Sequence, residues 1–297
     1  MSKNAIILIA LVTITSWSCT YDQGDEIISG NIAPPDPTVS NVLKENYINR
    51  TYISLVGRKP SEPEFQEGLN LLNTSNASAQ NRSDFLDILI AKDEYYQRLY
   101  DLARADLLNN VDTATVSFFI YLFEDQLMFE TNPLIRELIQ DEIDKLSVLN
   151  TIPQELRSGS INVAELHRRC LFNIIYDEIN MGTENFVVSA FQNLLSRTPT
   201  SAEGIENNEL QSASEMVDGF QAILFLQVGD SKEDFLNIMT TSNDYFEAQV
   251  VQQYNRFLFR DPTSEEMIEL AKEYRETENY SEMQKSILSS DEYLGIE

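Results

Sequence analysis

The sequence is short of the residues on which much metal chemistry and most compact β-architecture depend. Among 297 residues there are one histidine and two cysteines. A lone imidazole cannot supply a His-based zinc site, and two thiols allow at most one disulfide. Ten glycines and nine prolines are too few for the many tight turns of a β-sandwich or barrel, which points to helices. Basic side chains are also scarce: 21 against 48 acids, a net charge of −27. Nucleic-acid binders draw their affinity from Lys and Arg neutralising phosphates, so this balance argues against nucleic acid as a partner. It equally argues against an anionic lipid surface. What is plentiful is apolar mass. Hydrophobic residues make up 42%, with 15 Phe and 13 Tyr, enough for the core of one large or two smaller domains.

The N-terminus has its own organisation. A polar start with Lys3 precedes an apolar run, Ala5 to Ile14, and then Thr15, Ser16, Trp17, Ser18 and Cys19. These are the three regions of a secretory signal, and the run is shorter than the roughly 20 residues of a membrane span. A cysteine directly after a small residue resembles the signal of bacterial lipoproteins, although Trp17 and Ser16 depart from its usual pattern. The resemblance implies a signal peptide over 1–18, lipidation of Cys19 and an outer-membrane anchor. Ordinary cleavage beside an unmodified cysteine is the alternative. Asp22, Asp25 and Glu26 resemble the surface-export signal of Bacteroidetes lipoproteins and read equally well as a solvated linker. Pro34, Pro35 and Pro37 close an extended tether over 19–40. With Cys19 lipidated, Cys170 has no disulfide partner.

The remainder contains an internal repeat. Three segments align without gaps, beginning at Tyr52, Phe191 and Tyr254. Each reads aromatic, two spacers, two apolar residues, a spacer, Arg, a spacer, Pro, Ser/Thr, two spacers, Glu. The fixed residues are Arg58, Pro60, Ser61 and Glu64; Arg197, Pro199, Thr200 and Glu203; Arg260, Pro262, Thr263 and Glu266. The aromatic and the apolar pair lie on one helix face. The proline pushes its predecessor out of the helical region, and Ser/Thr-x-x-Glu is a capping box that starts a second helix. A later motif ends on Tyr95, Tyr245 and Tyr293, preceded by an acid: Glu94, Asp244 and Glu292. Each unit is therefore a helix, a capped corner, a second helix and a third helix ending near a tyrosine. The repeated arginines are expected to bridge to those acids as struts. The middle unit carries an insertion, expected around 204–216. In the first unit Lys92 stands where the others have serine, so its cap is not expected.

These corners, with the Ser-x-Glu-Tyr element, resemble the phycobilisome-linker-like domain of unknown function found in secreted bacterial proteins. The first unit is also similar to the domain of unknown function of cytochrome-associated planctomycete proteins. Together the resemblances cover roughly 47–108 and 187–297, and neither implies a catalytic activity or supplies catalytic residues. The expected organisation is all-α: unit 1 over 41–110, a central helical segment over 111–186, and units 2 and 3 over 187–297. In the central segment, Val116 to Phe123 is apolar all round and is expected to be a buried helix. Asn132-Pro133 starts another helix, with apolar Ile135, Leu138, Ile139, Ile143 and Leu146. Asn162 and Glu165 start a third, with Val163, Leu166, Cys170 and Ile174 on one stripe and Gly182 at its end.

Candidate chemistry is sparse. His167 and Cys170 lie three apart and could face each other, but Cys170 belongs to the apolar stripe and reads as a structural thiol. Neighbouring carboxylates such as Glu124-Asp125 do not converge on a helix. No phosphate loop, calcium loop or nucleophile elbow occurs. No catalytic, metal or cofactor residues are assigned. The expectation is an interaction or scaffold lipoprotein of an outer-membrane or surface assembly, its partners the membrane, through the N-terminal lipid, and envelope or surface proteins. A surface lipoprotein binding carbohydrate or peptide, and an enzyme built from acids across the repeats, remain as alternatives.

Overall fold

A computed structural model describes residues 38–201 and 208–296. The signal segment, Cys19 and the tether up to residue 37 lie outside the described residues, as does Glu203. Helix starts are set by caps. In unit 1, Ser40 accepts from the Leu43 amide and opens α1 (Asn41–Leu55), and the Ser61/Glu64 box opens α2 (Glu62–Thr74). Ser78 opens α3 (Ala79–Ile90), and α4 (Asp93–Leu107) follows without a side-chain cap at Lys92.

The central segment begins with a helical hairpin, α5 (Thr113–Phe129) capped by Asp112 and α6 (Pro133–Ser147) capped by Asn132. It continues through α7 (Ile152–Ser158), α8 (Val163–Leu171) and α9 (Ile174–Ile179). Unit 2 comprises α10 (Thr183–Leu195), α11 (Glu209–Val217), the antiparallel strands β1 (Ala222–Leu224) and β2 (Gln227–Gly229), and α12 (Lys232–Thr241). Helix α13 (Asn243–Leu258) leads into α14 (Ser264–Thr277), α15 (Tyr280–Leu288) and α16 (Asp291–Leu294). Sixteen α-helices and one two-stranded sheet among the described residues make the fold all-α, as the sequence predicts.

Four local expectations are corrected. First, the corner helices stop before the proline acts. Gly57, Ser196 and Phe259 all have positive φ, at 80°, 55° and 57°, so each helix ends on a left-handed residue two positions ahead of the one that proline restricts. At Gly57 a Cβ would meet the Arg98 side chain at 3.2 Å, so glycine relieves both strain and crowding. Second, the middle unit's insertion is divided, one part lying between Thr200 and Glu209 and so inside the expected 204–216, the other after α11. Glu209–Val217 is the unit's second helix, and further residues form the β-hairpin. Third, the Asn162 helix ends at Leu171. The buried Asn173 side chain accepts from the Ile175 and Tyr176 amides and donates to the Arg169 and Cys170 carbonyls, which starts α9 afresh. Gly182, with φ of 91°, caps the start of α10 and ends nothing. Fourth, α5 is not buried: only Val116 is.

One core runs through all the units from Val39 onward. Tyr47 and Phe85 of unit 1, Leu166 of α8, Phe191 and Phe235 of unit 2 and Tyr293 of α16 belong to a single buried cluster. The array closes on itself, because α1 packs on α16 and α3 packs on α15. Arg50 stacks on the Tyr293 ring at 3.9 Å and donates to the Tyr293 carbonyl at 2.9 Å. Arg82 is 2% exposed and donates to the Ser289 and Ala77 carbonyls and to Asp291.

Candidate functional site

The repeated arginines organise three near-identical corners. Each guanidinium holds its corner glutamate with two parallel bonds. Arg58 meets Glu64 at 2.7 and 2.9 Å, and Arg260 meets Glu266 at 2.9 and 2.7 Å. Each also reaches the acid before the repeat tyrosine: Arg58 to Glu94 at 3.1 Å, Arg197 to Asp244 at 2.6 Å and Arg260 to Glu292 at 2.6 Å. The struts expected from sequence are formed. The motif's aromatic lies under the guanidinium, with Arg58 over Tyr52 at 5.8 Å, Arg197 over Phe191 at 5.2 Å and Arg260 over Tyr254 at 5.1 Å. Pairing with Arg260 holds the Glu266 carboxyl down at about 2, and Arg58 acts on Glu64 in the same direction.

The corners differ where their sequences differ. In unit 2 the box glutamate is Glu209, which lies across the insertion. It takes Arg197 at 2.7 and 2.8 Å and accepts from the Thr200 amide at 2.8 Å, as Glu266 accepts from Thr263 at 2.7 Å. The assignment of that role to Glu203 is thereby corrected. A spacing of three is needed only when the cap and the glutamate share one helical turn. In unit 1 Lys92 replaces the serine that elsewhere caps the tyrosine amide (Ser242 to Tyr245, Ser290 to Tyr293), and its ammonium turns to Glu64 at 2.9 Å. Pro60, Pro199 and Pro262 lie between arginine and cap in the extended corner segments. The corners are thus saturated with internal partners, and they position helices.

The repeat tyrosines reach different groups. The buried Tyr95 hydroxyl donates to Gln284 at 2.8 Å, while the Tyr293 ring supports Arg50. The Tyr245 hydroxyl lies 2.9 Å from His167 Nδ1. His167 therefore pairs with a tyrosine, and no Cys–His nucleophile is assembled. Desolvation, with a smaller push from Arg256, lowers its pKa to about 4. Cys170 is fully buried and its thiol is pushed up to about 12 by desolvation, a structural thiol as the sequence suggests. Among the described residues, no group of three or more His, Cys, Asp or Glu is placed to hold a metal ion.

The surface feature that stands apart is the α5–α6 hairpin. Phe118, Tyr121, Leu122, Met128 and Phe129 of α5 and Leu134, Ile135 and Leu138 of α6 are exposed, Met128 at 72% and Phe129 at 75%. Val116, Phe119, Ile120 and Phe123 pack on the core, and Ile139 and Ile143 of α6 are buried. On the more exposed side of α5 run the half-buried Thr115 and the exposed Phe118, Leu122, Asp125 and Phe129, at spacings of 3, 4, 3 and 4. This is the periodicity of a helix laid along another helix. The flanks carry Glu124, Glu130, Glu137 and Asp141. The sequence shows that α5 is apolar on every side. Read as burial, that pattern misled, but the seam at 3-4-3-4 spacing within it was the legible signal. No helix among the described residues is long and apolar enough to cross a membrane.

No family model, no curated protein and no solved structure matches this chain.

Proposed function

We propose that this chain is a non-catalytic interaction or scaffold component of an outer-membrane or surface assembly, anchored through a lipid on Cys19, with the α5–α6 hairpin as its docking face. The observation that carries the reading is the exposed seam of Phe118, Leu122 and Phe129 beside Leu134 and Leu138. Eight large apolar side chains, exposing from 39% to 75% of roughly 200 Å² each, sum to about 1,000 Å². A stable interface buries about 800 Å² per partner. An apolar patch of this size on a strongly acidic protein marks an interaction site.

The occupant is a protein that offers an apolar helical groove rimmed by Lys or Arg. The spacing of the seam fits a helix, and the acidic flanks select the charge of the rim. The same acids disfavour an anionic bilayer, and they oppose a second copy of the hairpin. The corner repeats supply a rigid platform that holds the hairpin outward.

A photo-crosslinking residue at Leu122, activated in intact envelopes, tests this. The expected adduct is an envelope protein linked within an apolar segment flanked by basic residues. It is expected to disappear in Leu122→Asp/Phe129→Asp, with melting temperature retained, and to fall away when Cys19→Ala releases the chain. Adducts confined to lipid, adducts only to a second copy, or none at all would overturn the docking reading. Retention of Cys19→Ala in the membrane fraction would overturn the anchor separately.

A further inference from the structure

Sulfur among the described residues divides sharply between core and surface. Cys170 is fully buried and desolvation keeps its thiol protonated, so it is inert to oxidants. Met216, Met239 and Met283 are at most 2% exposed, and Met267 is half-buried. Two methionines stand in solvent, Met128 at 72% and Met181 at 70%. Met181 lies in the link between α9 and α10, outside the helical hairpin. Met128 lies in the last turn of α5, within the exposed apolar face.

Its place in that face is not peripheral. Met128, Phe129, Leu134 and Leu138 are the most exposed of the eight apolar side chains, and they lie toward the turn that joins α5 to α6. The other seven are Phe, Tyr, Leu and Ile, whose rings and alkyl chains a peroxide leaves intact. Met128 is therefore the one side chain of the eight that a peroxide oxidises. The oxidant suits the surroundings as well. Glu124 and Glu130 are close by along the chain, and the protein as a whole is strongly acidic. Such a field repels an anionic oxidant, whereas hydrogen peroxide is uncharged.

From this placement we infer that Met128 is a redox modification site, and that its oxidation by a peroxide releases the α5–α6 face from its partner. This regulation rests on the docking role proposed for the hairpin. In the step, a sulfur lone pair attacks one peroxide oxygen. The S–O bond forms as the O–O bond breaks, and sulfur gives two electrons to the peroxide. The departing hydroxide takes the proton of the new sulfur-bound hydroxyl. The products are one sulfoxide and one water. A thioether packs against apolar side chains without a polar penalty. The sulfoxide oxygen is an acceptor that loses its water on docking and finds no donor in an apolar groove. Methionine sulfoxide reductases return the thioether, so the change is reversible. Docking covers Met128, which makes the undocked chain the form that is oxidised.

Intact envelopes carrying the full chain, with the photo-crosslinking residue at Leu122, are treated with hydrogen peroxide before activation. Peptide mass spectrometry measures sulfoxide at Met128 and Met181. Met128→Leu, close in volume and inert to peroxide, is the comparison. Without peroxide both chains are expected to give the adduct. After treatment the native adduct is expected to fall about tenfold, the effect of burying one unpaired polar group. Met128→Leu keeps its adduct, Met181→Leu behaves as the native chain, and a sulfoxide reductase restores the native adduct. Should Met128→Leu itself fail to dock, restoration by the reductase decides, and its absence overturns the inference. An adduct retained while Met128 is oxidised, an equal loss in Met128→Leu, or a Met128 left reduced where Met181 is oxidised would also overturn it, with the docking role left standing. No adduct from the untreated native chain would remove the docking role and this regulation together.

Discussion

Two kinds of arginine hold this molecule together, and they work in different surroundings. Arg58, Arg197 and Arg260 recur at the corners, with side chains 41%, 33% and 34% exposed. Each is paired with acids close by in its own unit. Arg82 occurs once, is almost wholly buried, and ties α3 to carbonyl and carboxylate oxygens more than two hundred residues away. The difference separates architecture from closure. The corner arginines make each unit, and water screens much of their charge. Arg82 joins the first unit to the last with its guanidinium buried, so the carbonyls it holds are shielded from water even though Asp291 is not.

This contrast can be broken by substitution. Arg82→Ala returns the exposed Asp291 to water but leaves the Ser289 and Ala77 carbonyls unpaired at the closure, and is expected to lower unfolding free energy by about 2–4 kcal/mol, at about 1–3 kcal/mol for each carbonyl. Urea titration measures it, and a loss as small as a surface residue's would remove the distinction. A second test lies between the two kinds, at His167. Its folded pKa is depressed to about 4 from about 6.5, so the unfolded chain takes up the proton first as pH falls. The contribution is complete above pH 6.5 and is lost as pH drops toward 4, by up to about 3 kcal/mol. Unfolding titrations at pH 7 and 5 should diverge in the native chain and converge in His167→Gln. The smallest effect is expected at a corner. Arg260→Ala should lower stability by only about 1 kcal/mol, because its paired carboxylates can return to water. Arg260→Lys should restore only part, since an ammonium lacks the planar fork. A corner loss equal to that of Arg82 would show that repetition and closure contribute alike.

How much was legible follows the same division. Arginine, proline and cap recur at fixed spacing, so the all-α fold, the Arg58–Glu94, Arg197–Asp244 and Arg260–Glu292 struts and the boxes at Ser61 and Thr263 could be read from the chain. Arg50 and Arg82 could not, because nothing local marks a side chain whose partners lie at the far end of the sequence. Glu209 escaped for a related reason: an insertion hides a partner that space restores. Gln249 and Gln253 pass in sequence for ordinary polar positions on a helix, yet both are buried, where the equivalent positions of α4 carry Leu99 and Ala103. Helix α5 shows the limit of hydrophobic pattern, which reports apolar faces and leaves open whether this chain or another covers them.

The closure has a consequence for how the chain matures. Helix α1 finds its packing partner in α16, and Arg50 waits for the carbonyl of Tyr293. A chain delivered from its N-terminal side therefore exposes an incomplete first unit until nearly all of it has arrived. Contacts of such long sequence separation form late and slowly. Corners can assemble one by one, yet the array locks only with its last turn of helix. Residues 291–294 thus act as a latch, and their arrival sets the moment at which the molecule resists unfolding as a whole.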